Sequence, residues 1–235
     1  MLSIFKREIK SYFLSAIGYI FLSVFYLFAG YCFYATSIMA RSADLKYVFS
    51  NLLVILIFLL PMLTMRLMSE DKKMKTDQLL LTAPVNLSSV VVGKFLAALA
   101  TLFIGVTITV IYGIVLSFFA NFDWISLFCN IMGLLLLGSA LISIGIFVSS
   151  LTENQVISAI ASCAIILILF FIDGISSTIN ISFVSKILSS LSIVQPYNEF
   201  TYGSFSLPNV ILFLGIITVF LFLTTRVLER RRWAD

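Results

Sequence analysis

The only Gly-Lys pair in the chain, Gly93-Lys94, is the natural place to look for a phosphate-binding loop. A nucleotide loop of this type needs glycine five positions before the Gly-Lys pair and a hydroxyl residue directly after it. The chain has Ser88 and Phe95 at those positions. The sequence therefore predicts that this chain holds no ATP site and no cofactor of its own.

Hydrolytic and metal chemistry also lack the residues that they need. The chain contains no histidine, which is the commonest general base and metal ligand. Its three cysteines, Cys32, Cys129 and Cys163, lie in apolar runs and are interpreted as small buried hydrophobes. No acid falls inside an apolar run, so an intramembrane protease or an ion-coupled carrier is disfavoured. We predict no catalytic residues and no metal site.

Composition instead indicates a membrane protein, since 61% of the residues are hydrophobic and only 11% are charged. Crossing a bilayer takes about 20 consecutive apolar residues. Six runs without charge are long enough, and the predicted spans are roughly 16–39, 47–65, 95–119, 127–150, 155–172 and 208–225. The expected fold class is an all-α integral membrane protein, with residues 1–235 forming a single transmembrane domain.

Lysine and arginine in the connections predict the orientation, because cytoplasmic loops carry an excess of both. Six spans place both termini on one side. That side collects Lys6, Arg7, Lys10, Arg66, Lys72, Lys73, Lys75, Lys94, Arg226, Arg230, Arg231 and Arg232. The other side has only Arg41, Lys46 and Lys186. Both termini are therefore expected in the cytoplasm, with basic residues facing anionic lipid and no nucleic-acid partner.

Residues 1–14 are predicted to form an amphipathic helix in the membrane interface. Leu2, Phe5, Ile9 and Phe13 recur at helical spacing on one face. The alternative is a simple basic flank that sets topology.

Small residues recur every four positions in the third span, among them Gly105, Thr109 and Gly113. In lipid, small side chains let helices approach one another closely. We interpret these three residues as a packing surface within the chain. A substrate path along them is the alternative.

A tight turn joins the fourth and fifth predicted spans. Thr152 followed by Gln155 matches a capping box, and Glu153 suits the positive end of a helix dipole. The pattern predicts that a helix begins sharply at this turn.

The connection over residues 66–94 is the longest charged stretch. Ser69 is predicted to cap a helix whose first turn holds Glu70, and Pro84 to end it. Asn86 or Ser88 is expected to cap the next helix. The Leu79-Leu80-Leu81 triplet would be an unusual choice for a solvated loop, which is the alternative, and a protein partner that covers it resolves this.

Residues 173–207 form the largest segment on the other side. Lys186, Pro196 and Glu199 interrupt it too often for a span. Short extracellular helices on or in the outer leaflet are expected between spans five and six.

Three stretches resemble one protein family. "SEDKKMKTDQLLLTAP" with "VVGKFLA" is similar to the cytoplasmic loop of ABC-2 type transporter permeases. "SSLTENQ" and "FLFLTTRVLERRRW" narrow the resemblance to the gliding-motility-type (GldF-like) and NosY-like bacterial permeases. The resemblance covers nearly the whole chain, and the three motifs together are specific.

The resemblance implies a type V exporter-like permease in the bacterial cytoplasmic membrane. It implies two copies of a separately encoded ABC ATPase that binds ATP and Mg²⁺, and a second permease chain, identical or different. An additional membrane subunit with an external domain is also within the family pattern. The implied ATPase-coupling residues are Glu70, Thr76, Leu79, Leu80, Leu81 and Pro84. A membrane anchor of a mechanotransducing or signalling ABC complex that transports nothing is the alternative function.

Overall fold

The structure, a computed structural model, describes residues 2–42, 44–75, 86–119, 122–178 and 192–232, with only the backbone for Ser3 and for residues 173–178. These ranges hold helices and connections, and no strand occurs within them. The helices are α1 Leu2–Leu14, α2 Ala16–Phe33, a π-helical continuation Tyr34–Ile38, α3 Lys46–Lys73, α4 Leu87–Val106, α5 Ile108–Ser117, α6 Trp124–Leu151, α7 Gln155–Thr178, α8 Val194–Thr201 and α9 Leu207–Arg232.

Six segments among the described residues are long and apolar enough to cross a membrane. They are Ala16–Ile38, Lys46–Lys73, Leu87–Ser117, Trp124–Leu151, Gln155–Ile172 and Leu207–Arg232. The prediction of an all-helical protein with six spans is confirmed. We call the end of the bundle that holds α1, the α3–α4 connection, the α6–α7 turn and the end of α9 the basic end. The other is called the opposite end.

Helix α6 forms the centre of the bundle and packs against α3, α4, α7, α8 and α9. In its most apolar stretch 72% of the residues are buried, against 17% in α9. Three glycines of α6 allow these close contacts. A Cβ atom at Gly133 would lie within 2.9 Å of Phe200 atoms, and one at Gly145 would lie within 2.9 Å of Thr64 atoms. A Cβ atom at Gly138 would clash with Leu102. Without a hydrophobic force between helices in lipid, such close packing is a main source of association.

Helices α7 and α9 lie at the outside of the bundle. Only 22% of the apolar stretch of α7 is buried. The exposed apolar side chains of the two helices include Ile157, Ile160, Ile168, Ile211, Val219 and Phe222. These faces are available to lipid or to another membrane chain.

The third span is divided at Thr107 and is not one continuous helix. Thr107 Oγ1 donates to the Phe103 carbonyl at 2.9 Å, and such back-bonding to the preceding turn often bends helices. On the α4 side, Gly105 faces Phe21 and Phe25 of α2. On the α5 side, Gly113 faces Leu127 of α6, and Thr109 is buried. The small residues therefore lie against helices of the same chain.

The α6–α7 turn differs from the predicted capping box. Helix α7 begins at Gln155, and Asn154 Oδ1 accepts the Val156 N–H at 2.9 Å, so Asn154 is the cap. Thr152 ends α6, and its hydroxyl accepts the Asn154 N–H at 3.2 Å. Asn and Thr are both good caps, and here the helix starts two residues later than the Thr152 pattern indicated.

The segment between spans five and six was predicted to hold short helices, and α8 is one. Helix α8 is anchored to the bundle by Tyr197, whose hydroxyl donates to the Phe49 carbonyl at 2.8 Å, and by Phe200 against Gly133. Burial raises the pKa of Tyr197, which keeps the donor protonated. Residues 179–191, which include the predicted interfacial stretch around Lys186, lie outside the described residues.

Candidate functional site at the basic end

Helix α3 runs well beyond its apolar part and ends at Lys73, not at the predicted span end near residue 65. Arg66 and Glu70, four residues apart, form a bidentate ion pair with one N–O distance of 2.6 Å. Pairs at this spacing stabilise a helix. The prediction that Ser69 caps a helix is wrong. Ser69 lies inside α3 and donates to the Met65 carbonyl. Helix α3 therefore continues without interruption from the apolar span through the charged residues.

Lys94, in the second turn of α4, is the centre of a buried ionic cluster. Its ammonium donates to Asp71 Oδ2 at 2.5 Å and to the Leu67 carbonyl of α3. It also lies 3.3 Å from Glu8 Oε1 of α1. The Lys94 side chain is only 2% exposed. One ammonium thus joins α1, α3 and α4.

Arg7 completes this cluster at its exposed rim. Its guanidinium is 2.9 Å from Glu8 Oε1 and 3.8 Å from Asp71 Oδ2. The hydrogen bond to Glu8 raises the pKa of Arg7. We call Arg7, Glu8, Asp71 and Lys94 the Lys94 cluster. Two cations face two carboxylates, so the set is neutral. A buried ion pair of this kind fixes the relative positions of its helices more than it adds to the free energy of unfolding. Removing one partner lowers that free energy strongly, because the other charge is left buried and unpaired.

A second contact fixes α1 beside α3. The Tyr12 hydroxyl donates to the Leu63 carbonyl at 2.9 Å. Burial raises the pKa of Tyr12 well above its ordinary value, so the group stays a donor. The chain then turns tightly into α2, where a side chain at Gly18 would come within 2.7 Å of the Tyr12 carbonyl oxygen. Helix α1 is therefore held in one position against the bundle.

The end of α6 is bound to the same part of α3. Ser149 Oγ accepts the N–H groups of Met68 and Ser69 at 3.2 and 3.1 Å and donates to the Met65 carbonyl at 3.0 Å. The buried Lys72 ammonium donates to the Ser150 carbonyl. Both serines are buried. The central helix thus shares hydrogen bonds with the charged extension of α3.

Comparison with protein families decides what kind of bundle this is. The chain matches the family described as ABC-2 family transporter protein over residues 2–233. The chain belongs to the ABC-2 transporter family. No curated protein matches it. Family membership and the six apolar helices together make the chain a multi-pass membrane protein and the membrane permease subunit of an ABC transporter. This subunit is a non-catalytic component, and its family implies partnership with an ABC ATPase.

The structure brings some of the predicted site residues of this permease to one place. Glu70 lies in the α3 extension and pairs with Arg66. Thr152, Glu153 and Gln155 lie at the α6–α7 turn of the same basic end. Five predicted ATPase-coupling residues lie outside the described residues: Thr76, Leu79, Leu80, Leu81 and Pro84. The helices that lead into and out of their connection are both described.

Sequence reasoning missed the central residues of the permease's basic end. Lys94 was considered as part of a nucleotide loop, as a topology signal and in the "VVGKFLA" motif, and Ser149 only as part of "SSLTENQ"; neither was predicted to bond another helix, and Glu8 was not considered. Glu8 did carry a signal, since it is the only acid before Asp44 in a segment that is otherwise basic. Its convergence with Asp71 and Lys94 needs the fold, because 86 positions separate Glu8 from Lys94 in the chain.

Proposed function

We propose that this permease belongs to an ATP-driven exporter of the gliding-motility and NosY type in the bacterial cytoplasmic membrane. The basic end and both termini face the cytoplasm in this proposal. Twelve of the 15 lysine and arginine residues support that orientation, since they lie at the basic end or in the connections that leave it. The three sequence motifs support the narrower family assignment.

The connection between α3 and α4 receives the ATPase, and its Leu79-Leu80-Leu81 triplet fills a cleft on that partner. Burying one leucine contributes about 1.5–3 kcal/mol. Glu70, Thr76 and Pro84 shape the same docking segment. The ATPase binds ATP and Mg²⁺, and this chain supplies the membrane path.

The observation that carries the proposal is the way in which the Lys94 cluster joins the two helices that flank this connection. Asp71 stands two residues before the end of α3, and Lys94 is the eighth residue of α4. A partner that pulls the connection therefore moves both helices as a unit, together with α1. The bonds from Ser149 and Lys72 pass the same displacement to α6 at the centre of the bundle.

A complete transporter contains two ATPases and a second permease chain, identical to this one or different. The exposed apolar faces of α7 and α9 leave surface for that second chain. An additional membrane subunit with an external domain fits at the opposite end.

The docking test replaces Leu79, Leu80 and Leu81 together by serine and purifies the permease with its co-expressed ATPase. We expect normal membrane insertion, because no span changes, and loss of the ATPase during purification. Leu151→Ser is the matched control: it removes an exposed leucine of the same end, at 54% exposure, outside the docking segment. Full retention of an active ATPase by the triple variant would contradict the docking assignment.

A further inference from the structure

Two adjoining clefts lie at the opposite end of the bundle, away from the Lys94 cluster. The first, of about 380 Å³, lies between the π-helical end of α2 and the end of α5. Its apolar walls include Phe33, Ile38, Leu116 and Phe119. The second, of about 350 Å³, lies at the start of α6. Ser42 lines both clefts and so stands where they meet.

Arg41 places a cation in the first cleft, in a backbone conformation that normally belongs to glycine. Its φ is 52°, and the Ser42 N–H donates to the Ser37 carbonyl at 3.0 Å across it. This is the left-handed position that ends many helices and that favours glycine. Among the described residues no carboxylate forms an ion pair with Arg41. A strained, unpaired cation beside an apolar cleft is suited to an anionic group.

The second cleft has the opposite character. Asp44 and Asp123 line it, together with Ser126 and Asn130. Each aspartate uses one oxygen on a backbone N–H at a helix start, Lys46 for Asp44 and Ile125 for Asp123. The remaining carboxylate oxygens are available to a cation or a hydrogen-bond donor.

Buried polar atoms without a partner point to a ligand across both clefts. Among the described residues three such side-chain atoms occur: Ser37 Oγ, Asn130 Oδ1 and Ser158 Oγ. Ser37 lines the first cleft and is 2% exposed; Asn130 lines the second and is 1% exposed. Leaving a buried polar atom unpaired is unfavourable, so a ligand group that pairs it is stabilised.

We propose that the two clefts bind one aminophospholipid. An acyl chain lies along the apolar wall of the first cleft, and the phosphate accepts hydrogen bonds from Arg41 and the Ser37 hydroxyl. The primary ammonium group lies in the second cleft and donates to Asn130 Oδ1 and to the carboxylates of Asp44 and Asp123. Each cleft is within the size range of ligand pockets, about 300–1,000 Å³. The half-exposed Ile38 and the exposed Phe119 at the rim suit entry from the lipid.

Other headgroups match only part of this site. Phosphatidylglycerol has the phosphate but no cation for the second cleft. Phosphatidylcholine has a cation without N–H groups, which leaves Asn130 Oδ1 unpaired. The order of preference is therefore phosphatidylethanolamine first and the other two well behind.

Native mass spectrometry of the purified full chain tests this preference with phosphatidylethanolamine, phosphatidylglycerol and phosphatidylcholine of identical acyl chains. We expect one phosphatidylethanolamine per chain, retained at a concentration at least several-fold lower than either of the others requires. Equal retention of all three lipids would overturn the proposal, and so would a preference for phosphatidylglycerol.

Substitutions locate the site. Arg41→Gly relieves the strained backbone, so the fold is kept, while retention of phosphatidylethanolamine falls to the level of phosphatidylcholine. Arg41→Lys restores part of it. Lys46→Met is the matched control, since this cation stacks on the Tyr202 ring at 3.4 Å and lines neither cleft. Unchanged retention by Arg41→Gly would overturn the proposal.

The double variant Asp44→Asn with Asp123→Asn tests the ammonium cleft. Asparagine accepts the same helix-start N–H groups, so the helices keep their caps. We expect the preference for phosphatidylethanolamine over phosphatidylcholine to disappear; an undiminished preference would refute the ammonium contact.

A last arm distinguishes a resident membrane lipid from a transported one. In proteoliposomes with the ATPase, ATP-dependent movement of acyl-labelled phosphatidylethanolamine that needs Arg41 identifies cargo. Retention without such movement identifies a resident lipid. Both results support the site, whereas absence of retention and of movement contradicts it.

Discussion

The two ends of the bundle differ in how their polar side chains are paired. At the basic end, the ion pairs of the Lys94 cluster join α1, α3 and α4, and hydrogen bonds from Tyr12 and Ser149 to the backbone of α3 add further contacts from α1 and α6. At the opposite end, Ser37 Oγ and Asn130 Oδ1 are buried without a partner beside two clefts, and Arg41 has a positive φ. The basic end also has one buried unpaired atom, Ser158 Oγ in the first turn of α7, and one non-glycine residue with a positive φ, Lys75 at 55°. The ends differ because the basic end connects four helices through ionic and hydrogen-bonded contacts, which suits movement as one body, whereas the opposite end places its unpaired atoms beside two clefts, which suits binding of a ligand.

This difference assigns the two parts of the permease's action, force transmission and ligand binding, to different ends of the bundle. Rigid connection between helices suits the transmission of force from an ATPase. Unpaired polar atoms beside clefts suit ligand binding. Helices α3 and α6 run from one end of the bundle to the other, and they are the most buried of the spans among the described residues. Substitutions at the two ends should therefore change different properties: stability and the response to the ATPase at the basic end, and ligand binding at the opposite end.

The largest expected effect comes from breaking the Lys94 cluster. Lys94→Met keeps the length of the side chain and removes the buried cation between Glu8 and Asp71, while Arg7 remains at the exposed rim of the cluster. Losing one partner of a buried pair costs about 3–5 kcal/mol, and the lower part of that range applies since Asp71 is 21% exposed. Thermal unfolding in detergent should show a clearly lower midpoint.

The matched cation at the opposite end is Lys46, which stacks on Tyr202. Lys46→Met should cost no more than about 1 kcal/mol, the usual size of an exposed cation–π contact. Equal midpoints for the two variants would remove the contrast between the ends.

The next effect tests the central helix that joins the ends. At Gly145 an added methyl group would stand 2.9 Å from Thr64 Cβ of α3, so Gly145→Ala should cost about 1–3 kcal/mol through overpacking. Gly215→Ala in α9 is the control, because nothing lies within 4 Å of its added methyl group. It should leave the midpoint unchanged or raise it slightly. An unchanged unfolding midpoint for Gly145→Ala would show that α3 and α6 pack loosely.

A feature that the ends share should give equal effects. Tyr12 donates to a carbonyl of α3 near the basic end, and Tyr197 donates to another near the opposite end. Tyr12→Phe and Tyr197→Phe should each cost about 1 kcal/mol, the net contribution of a typical hydrogen bond. Chemical denaturation of both variants measures this. A cost confined to one variant would mean that α3 is anchored at one end only.

The smallest expected effect concerns the cap of α7. Asn154→Ala should cost about 1 kcal/mol of local stability, and Thr152→Ala less, because only Asn154 accepts N–H groups of the helix. Hydrogen exchange of the Val156 and Ile157 amides resolves the difference. Faster exchange in Thr152→Ala than in Asn154→Ala would restore Thr152 as the cap.

The spans were predictable because length and hydropathy are local properties of a sequence. The helix ends were not, as α3 shows. Charges from Arg66 onward end an apolar run, but they do not end a helix, and the Arg66–Glu70 pair continues it to Lys73. The break at Thr107 depends on a single side-chain hydrogen bond that hydropathy does not register.

The candidate site was predictable only where it is contiguous in sequence. The charged connection and its leucine triplet stand out by composition. The Lys94 cluster does not, because its members come from three helices that meet only after folding. For the same reason the sequence did not reveal Ser37 Oγ and Asn130 Oδ1, because a buried polar atom without a partner can be recognised only when its neighbours in the fold are known.

We infer that the Lys94 cluster transmits the action of the ATPase to the rest of the bundle. A single cysteine at Phe118, exposed at the opposite end, tests it in a chain whose Cys32, Cys129 and Cys163 are replaced by alanine. The maleimide labelling rate is measured for the purified complex with and without ATP and vanadate, well below the unfolding midpoint. Lys46→Met serves as the control for losing a cation.

We expect ATP and vanadate to change the labelling rate in the otherwise unaltered complex and in Lys46→Met. In Lys94→Met the ATPase should remain bound, and the change should be lost. A Lys94→Met complex that responds to ATP as the unaltered complex does would contradict the claim.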